Sequence, residues 1–165
     1  MKEESYEMPY FSGEMIFRFV SIENKFMKSA MLFARENSLD KIMPIGSVLV
    51  KDNNIIGLGA NGSDYHNKNI CKRISLNIAT GQGYDLCEGC HYKNHSEQRA
   101  ISDAIIKGFN IRGSDLYLWG HWWCCRWCRN LIISSNIKNI YLLEKSEILF
   151  NKNKKGNIVG KQFLI

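Results

Sequence analysis

The segment from His95 to Cys128 constrains the fold more than any other part of the chain, because it carries potential metal ligands at both ends. His95-Ser-Glu97 stands where one helical pattern begins, and Cys125-Arg-Trp-Cys128 stands where the next one begins. Between them, residues 115–119 (DLYLW) have the composition of a buried strand. A helix–strand–helix unit places both helix starts near one edge of a sheet. We therefore expect His95, Cys125 and Cys128 to face one point above that sheet.

The remaining pattern predicts an α/β protein. Apolar residues at helical spacing favour a helix over 24–36, and residues 139–144 (NIYLLE) favour another strand. The β-prone runs IGSVLV and IIGLGA flank the turn-forming KDNN, which indicates a β-hairpin. Residues 61–94 lack a period and predict a long Cys/His-rich loop. We expect an N-terminal arm over 1–23, packed on the domain or on a neighbouring subunit of a homo-oligomer, and one domain over 24–165.

Composition narrows the class of protein and the redox state of its thiols. The 165 residues suffice for one domain, and no apolar run approaches the roughly 20 residues that span a bilayer. The acidic N-terminal stretch MKEESYEMPYF does not have the pattern of a secretory signal. We expect a cytoplasmic protein without membrane contact, in which six cysteines indicate metal binding or catalysis rather than disulfides.

The His-x-Glu and Cys-x-x-Cys motifs together indicate a catalytic zinc. Three protein ligands leave the fourth position of a tetrahedral zinc open for water. Glu97 lies two residues beyond His95, so it can reach that position without binding the metal and can transfer protons. His-x-Glu followed by Cys-x-x-Cys is a known signature of zinc deaminases.

The chain resembles the cytidine deaminase superfamily, and specifically its deoxycytidylate (dCMP) deaminase branch. PIGSVLVKDNNIIGLGANG resembles the hairpin of that family, and NHSEQRAI resembles its helix start. The resemblance implies a three-layer α/β/α fold with a central five-stranded mixed sheet, and zinc-dependent conversion of dCMP to dUMP and ammonia. It also implies that Asn61 binds the nucleoside sugar. Two positions depart from the family pattern: Cys124 replaces a proline, and Ser96 replaces a small apolar residue.

Several side chains near these motifs are candidates for substrate binding. Four tryptophans crowd the site, and each either packs in the core or stacks on a base; they are Trp119, Trp122, Trp123 and Trp127. We select Trp119 and Trp123 as stacking candidates. Lys72 and Arg73 are candidate contacts for the nucleotide phosphate, from their location in the loop.

The long loop carries a second set of metal-binding residues. Cys71, Cys87 and Cys90 are accompanied by His91, the fourth ligand we select, with His66 as the alternative. A long aperiodic loop needs a cross-link, and a closed four-ligand zinc supplies one. The competing interpretation is three reduced, partly buried thiols.

Two other functions stay open at this point. A deaminase acting on DNA or tRNA shares the metal site and uses the lysine-rich tail, residues 151–161, to contact the strand. That tail, which contributes to the net charge of +6, is otherwise a solvated surface. In a non-catalytic zinc module, both Cys-x-x-Cys pairs hold a single ion. The His-x-Glu motif favours an enzyme over the module. The sequence shows no basic stripe interleaved with aromatic residues outside residues 119–127, which favours a free nucleotide over a nucleic-acid strand.

Overall fold

Five strands pair into one mixed sheet in the computed structural model, which describes residues 16–164. In chain order these are β1 (Ile16–Val20), β2 (Gly46–Lys51), β3 (Asn54–Ala60), β4 (Asp115–Trp119) and β5 (Asn139–Leu143). They lie side by side in the order β1-β5-β4-β2-β3. The strands β1, β5 and β4 are parallel, and β2 runs antiparallel to both β4 and β3. The five-stranded mixed sheet that the resemblance implies is confirmed.

Helices cover both faces of this sheet. They are α1 (Lys25–Asn37), α2 (Lys72–Ser75), α3 (Ser96–Ile106), α4 (Arg126–Ser134) and α5 (Ser146–Leu149). The helix α1 begins where the Asn24 side chain accepts hydrogen bonds from two backbone N–H groups, a standard N-cap. Three short 3-10 turns lie within the predicted loop region, at Asp64–Asn67, Tyr84–Leu86 and Tyr92–Asn94. None of the helices in the described range is long and apolar enough to cross a membrane.

Alternation along the strands assigns side chains to two separate cores. Leu116 and Leu118 of β4 join the core beneath α3 and α4. Tyr117 and Trp119 point to the opposite face, where they pack with α1 and the C-terminal segment. The Trp119 ring stacks on Phe163 at 5.1 Å between centroids. Because successive side chains of a strand face opposite ways, Trp119 is a core residue of the α1 face.

The hairpin between β2 and β3 forms as the sequence predicts. Asp52 and Asn53 both have positive φ, 49° and 63°, which is the backbone of a type I′ turn. At the far end of β3, Gly59 lies so close to α3 that a Cβ atom would overlap the Ser96 carbonyl oxygen. The absent side chain lets the first turn of α3 approach the sheet, and His95 and Glu97 are positioned by that contact.

The predicted N-terminal arm contains a strand of the sheet. Residues 16–20 pair in parallel with β5, and Phe17 is buried in the core beneath α3 and α4. The Arg18 side chain donates to Asn139 Oδ1 across this pairing. These residues therefore belong to the domain, which corrects that part of the prediction. Residues 1–15 of the predicted arm lie outside the described residues.

Candidate active site and second ligand cluster

Three donor atoms from the predicted catalytic group converge at the starts of α3 and α4. His95 precedes α3, Cys125 caps α4, and Cys128 lies in the first turn of α4. Nδ1 of His95 is 3.3 Å from Sγ of Cys125 and 3.5 Å from Sγ of Cys128. A tetrahedral zinc with ordinary bond lengths separates nitrogen and sulfur ligands by about 3.6 Å. The donor types and their spacing therefore fit a zinc ion with three protein ligands.

The electrostatics of the group favour a thiolate at Cys125. The pKa of Cys125 is lowered to about 5 by a hydrogen bond from Cys128 and by the hydrogen bond and charge of His95, although burial acts in the opposite direction. The same hydrogen bond and burial raise the pKa of Cys128. Burial alone disfavours protonation of His95, but the hydrogen bond with Cys125 and the nearby charges raise its pKa overall. A metal cation held by these residues would replace the protons of the thiols, since thiolate is the ligand form of cysteine.

Glu97 lies beside this group but does not belong to it. Its side chain is 5% exposed, and burial raises the pKa of the carboxyl. Ser96 Oγ donates to Glu97 Oε2 at 3.2 Å, and the same hydroxyl is 2.8 Å from Ser47 Oγ on β2. Burial and the nearby Glu97 carboxylate raise the pKa of the Cys124 thiol. The two departures from the family pattern, Ser96 and Cys124, thus both lie near Glu97, and Cys124 stays outside the ligand group.

A cavity of about 600 Å³ opens onto Glu97 and the ligand group. Its walls come from the segment after α1, the end of β3, the Cys/His-rich segment and the loop between β4 and α4. This volume is in the range of small-molecule sites. Three of the residues predicted to contact the substrate, Asn61, Arg73 and Trp123, line the cavity. Lys72 and Trp119 do not, because Lys72 is exposed on α2 and Trp119 is buried on the opposite face of the sheet.

Asn61 is held by the segment that follows α1. Its Oδ1 accepts hydrogen bonds from Ser38 Oγ at 2.7 Å and from the Ile45 N–H at 2.8 Å. Its Nδ2 donates to the Met43 carbonyl at 2.9 Å. Both oxygen lone pairs are therefore used within the protein, and one Nδ2 hydrogen remains for a ligand. Asn61 shapes the cavity wall in addition to any contact with a sugar.

The guanidinium of Arg73 is fixed by its own segment. Its Nε donates to the Gln82 carbonyl and one terminal nitrogen donates to the Ala79 carbonyl. The charge lies over the ring of Tyr84, 4.3 Å from the centroid. Arg73 therefore contributes a positive charge to the cavity wall from a rigid position. Tyr84 was not among the residues selected from the sequence, because the region around it shows no period.

A second group of ligand atoms gathers in the Cys/His-rich segment. His66 Nε2 is 3.2 Å from Cys87 Sγ and 3.9 Å from Cys90 Sγ. Cys71 Sγ is 3.5 Å from Cys90 Sγ. Burial raises the pKa of Cys87, but the hydrogen bond with His66 and several backbone N–H groups lower it to about 6. The four donor atoms lie within 4.8 Å of one another, which fits a closed tetrahedral site.

His66 rather than His91 completes this second group. His91 begins the Tyr92–Asn94 turn, where its Nδ1 accepts a hydrogen bond from the Lys93 N–H and its ring packs against Tyr92. The prediction that His91 is the fourth member is therefore corrected. The two Cys-x-x-Cys pairs also fall into separate groups, so the single-ion module formed from both pairs is wrong.

Fold and ligand arrangement define a zinc-binding α/β enzyme domain of the deaminase type, and the sequence places it in a family. The family described as the cytidine and deoxycytidylate deaminase zinc-binding region matches residues 20–144. The chain therefore belongs to this family. No curated protein matches the chain.

Two solved structures of one enzyme resemble this protein. The dCMP deaminase of cyanophage S-TIM5 in complex with dCMP and dUMP is 26% identical, with a TM-score of 0.51 over 73% of this chain and 79% of the other. The apo form of that enzyme is 23% identical, with a TM-score of 0.50 over 79% of this chain and 90% of the other. The match to the apo form supports the fold alone.

Proposed function

We propose that this protein hydrolyses a cytosine nucleotide, dCMP, to dUMP and ammonia in a zinc-dependent reaction. The observation that carries the proposal is the convergence of His95, Cys125 and Cys128 beside a buried Glu97, which lines a cavity of about 600 Å³. The similarity to a phage enzyme that was solved with dCMP and dUMP supports this choice of substrate.

His95, Cys125 and Cys128 are the residues that would hold the zinc. When bound, the ion activates water as a nucleophile near neutral pH. Glu97 accepts a proton from the attacking water and delivers it to the ring nitrogen next to the amine-bearing carbon. It then takes the proton of the hydroxyl that has added to the ring carbon and transfers it to the amine, so that the carbon–nitrogen bond breaks, ammonia leaves and the ring carbonyl of dUMP forms. Burial raises the pKa of the Glu97 carboxyl above its ordinary value, which favours uptake of a proton from water.

We also propose that His66, Cys71, Cys87 and Cys90 hold a second, structural zinc. With four protein ligands the site has no open position, so its role is to cross-link the segment that forms one wall of the cavity. That segment reaches the catalytic group through Arg73 and Tyr84, since Tyr84 packs on His95. The second ion thus supports the active site without taking part in the chemistry.

A free nucleotide fits the cavity better than a nucleic-acid strand. The cavity is bounded on one side by the Cys/His-rich segment, and Arg73 and Lys41 supply positive charge on its wall. The tail 151–161, proposed above as a track for a strand, contributes no residue to the cavity lining. Assembly into a homo-oligomer stays a prediction.

A panel assay of ammonia release tests the proposed function. The zinc-loaded protein is incubated with dCMP, CMP, deoxycytidine and single-stranded DNA, and zinc per chain is measured on the same sample. We expect the fastest release from dCMP and two zinc ions per chain. Faster deamination of single-stranded DNA than of dCMP contradicts the nucleotide assignment, and one zinc per chain removes the second site.

A further inference from the structure

His121 is a buried imidazole at the cavity wall that neither ligand group includes. It follows Gly120, whose positive φ of 93° and close approach to the Pro44 carbonyl leave no room for a Cβ atom. This turn after β4 places His121 in the cavity lining, to which Glu97 and Trp123 also belong. The residue is 8% exposed, so a ligand that fills the cavity removes the remaining contact of its polar atoms with water.

The hydrogen bonds of His121 leave one nitrogen available. Nδ1 accepts a hydrogen bond from the Trp123 N–H at 3.2 Å. In a neutral imidazole this places the proton on Nε2, which makes Nε2 a donor. Among the hydrogen bonds of residues 16–164, the His121 side chain makes only the one with the Trp123 N–H, so its Nε2 is unpaired but accessible and is not sealed in the core. Burial, together with the neighbouring His95, lowers the pKa of His121 to about 3, consistent with a neutral ring.

Stacking keeps the donor in a fixed direction. The ring of Trp122 lies parallel to the His121 ring at 4.4 Å between centroids and 4° between planes. Trp123 packs against it at a tilt of 57°. A donor that is held rigidly in a buried site selects for an acceptor at one position and disfavours ligands that lack it.

From this arrangement, and resting on the proposed deaminase function, we infer that His121 Nε2 donates to a ring carbonyl oxygen of the substrate base and so selects the base. Cytosine carries such a carbonyl next to the ring nitrogen that Glu97 protonates, and guanine carries one as well. Adenine has none, so an adenine nucleotide leaves this buried donor unpaired. A phosphate is a poorer partner, because a neutral, buried imidazole offers no positive charge to an anion.

The matched variants His121→Gln and His121→Leu separate the donor from the shape of the side chain. Glutamine places an amide N–H near the position of Nε2, leucine removes the donor, and both lose the imidazole acceptor for the Trp123 N–H. Each is made in the Glu97→Gln background, so that bound nucleotide is not turned over. Zinc content and thermal midpoint are measured on every variant, and only folded, zinc-loaded protein is compared.

Dissociation constants for dCMP, dGMP and dAMP provide the test. We expect His121→Leu to weaken dCMP binding about tenfold, His121→Gln to recover most of that loss, and dAMP binding to change little. If His121→Leu weakens the binding of dGMP and not that of dCMP, and His121→Gln restores it, then His121 still selects the base but the base is not cytosine. Equal weakening by both variants, or equal weakening for all three nucleotides, overturns the inference. These outcomes concern binding alone. They can therefore be distinguished from a failure of the proposed function, in which the wild-type protein releases no ammonia.

Discussion

The ring of Tyr84 stands edge-on to the imidazole of His95, with 4.6 Å between centroids and 88° between planes. The guanidinium of Arg73 lies over the ring of the same tyrosine. A residue of the Cys/His-rich segment therefore contacts a residue of the catalytic ligand group directly. This contact gives the segment a way to hold the catalytic histidine in place, in addition to forming a cavity wall.

Replacing the Tyr84 ring tests that contact. We expect Tyr84→Leu to lower kcat/KM for dCMP about tenfold, because an aromatic edge contact is worth about 0.5–1.5 kcal/mol and fixes the His95 ring. Tyr84→Phe keeps the ring and loses only the hydrogen bond that the hydroxyl accepts from the Gly81 N–H. We expect this control to stay within about threefold of wild type. Equal losses in both variants contradict a role for the ring.

The second ligand group predicts a specific change in metal content. Cys87→Ser removes one of four ligands, so we expect zinc to fall from two ions to one per chain. The thermal midpoint falls by about 10 °C, since a structural zinc contributes folding free energy. Cys124→Ser is the matched control, because Cys124 is a buried cysteine outside both ligand groups and should leave two ions bound. Elemental analysis and thermal melting give both readouts; two ions in Cys87→Ser rule out this ligand set.

The raised pKa of Tyr117 predicts that the protein loses stability at alkaline pH. It is buried against Tyr141, with ring centroids 4.4 Å apart, and burial, followed by the charges of Tyr141 and Asp115, raises its pKa to about 12. Below about pH 10 the hydroxyl is protonated in both folded and unfolded chains, so its contribution to stability is fully present. Between about pH 10 and 12 only the folded chain keeps the proton, and stability falls as pH rises.

Denaturant unfolding at several pH values between 9 and 12 measures this slope. We expect the free energy of unfolding of wild type to fall more steeply above about pH 10 than that of Tyr117→Phe, which lacks the ionisable hydroxyl. Parallel curves for the two proteins contradict the raised pKa of Tyr117.

Local sequence patterns predicted the elements with a strong period. The helix over 24–36 corresponds to α1 and the strand over 115–119 to β4, because their apolar residues repeat at the spacing of a buried face. The strand β1 was assigned to an arm, since IFRFV at the sheet edge is short and its partner β5 lies far along the chain. Pairing between distant segments leaves no local signal.

The sequence predicted those site residues whose positions follow from a motif at a helix start. It did not predict those whose role depends on the direction in which a side chain points. His-x-Glu and Cys-x-x-Cys at two helix starts were enough to bring His95 to Cys125 and Cys128. His91 is next to Cys90 in sequence, but its ring turns into the Tyr92–Asn94 turn and leaves the position to His66. Adjacency in sequence does not give the direction of a side chain in an aperiodic segment.

The most direct test of the central claim compares the zinc-loaded protein with Glu97→Gln for formation of dUMP and ammonia from dCMP. Glutamine keeps the size of the side chain but cannot transfer protons, so we expect the rate to fall at least 100-fold, as a rough lower bound, with zinc content and thermal midpoint unchanged. Equal rates in the two proteins, or no product from dCMP with the zinc-loaded wild type, would contradict the proposed deaminase.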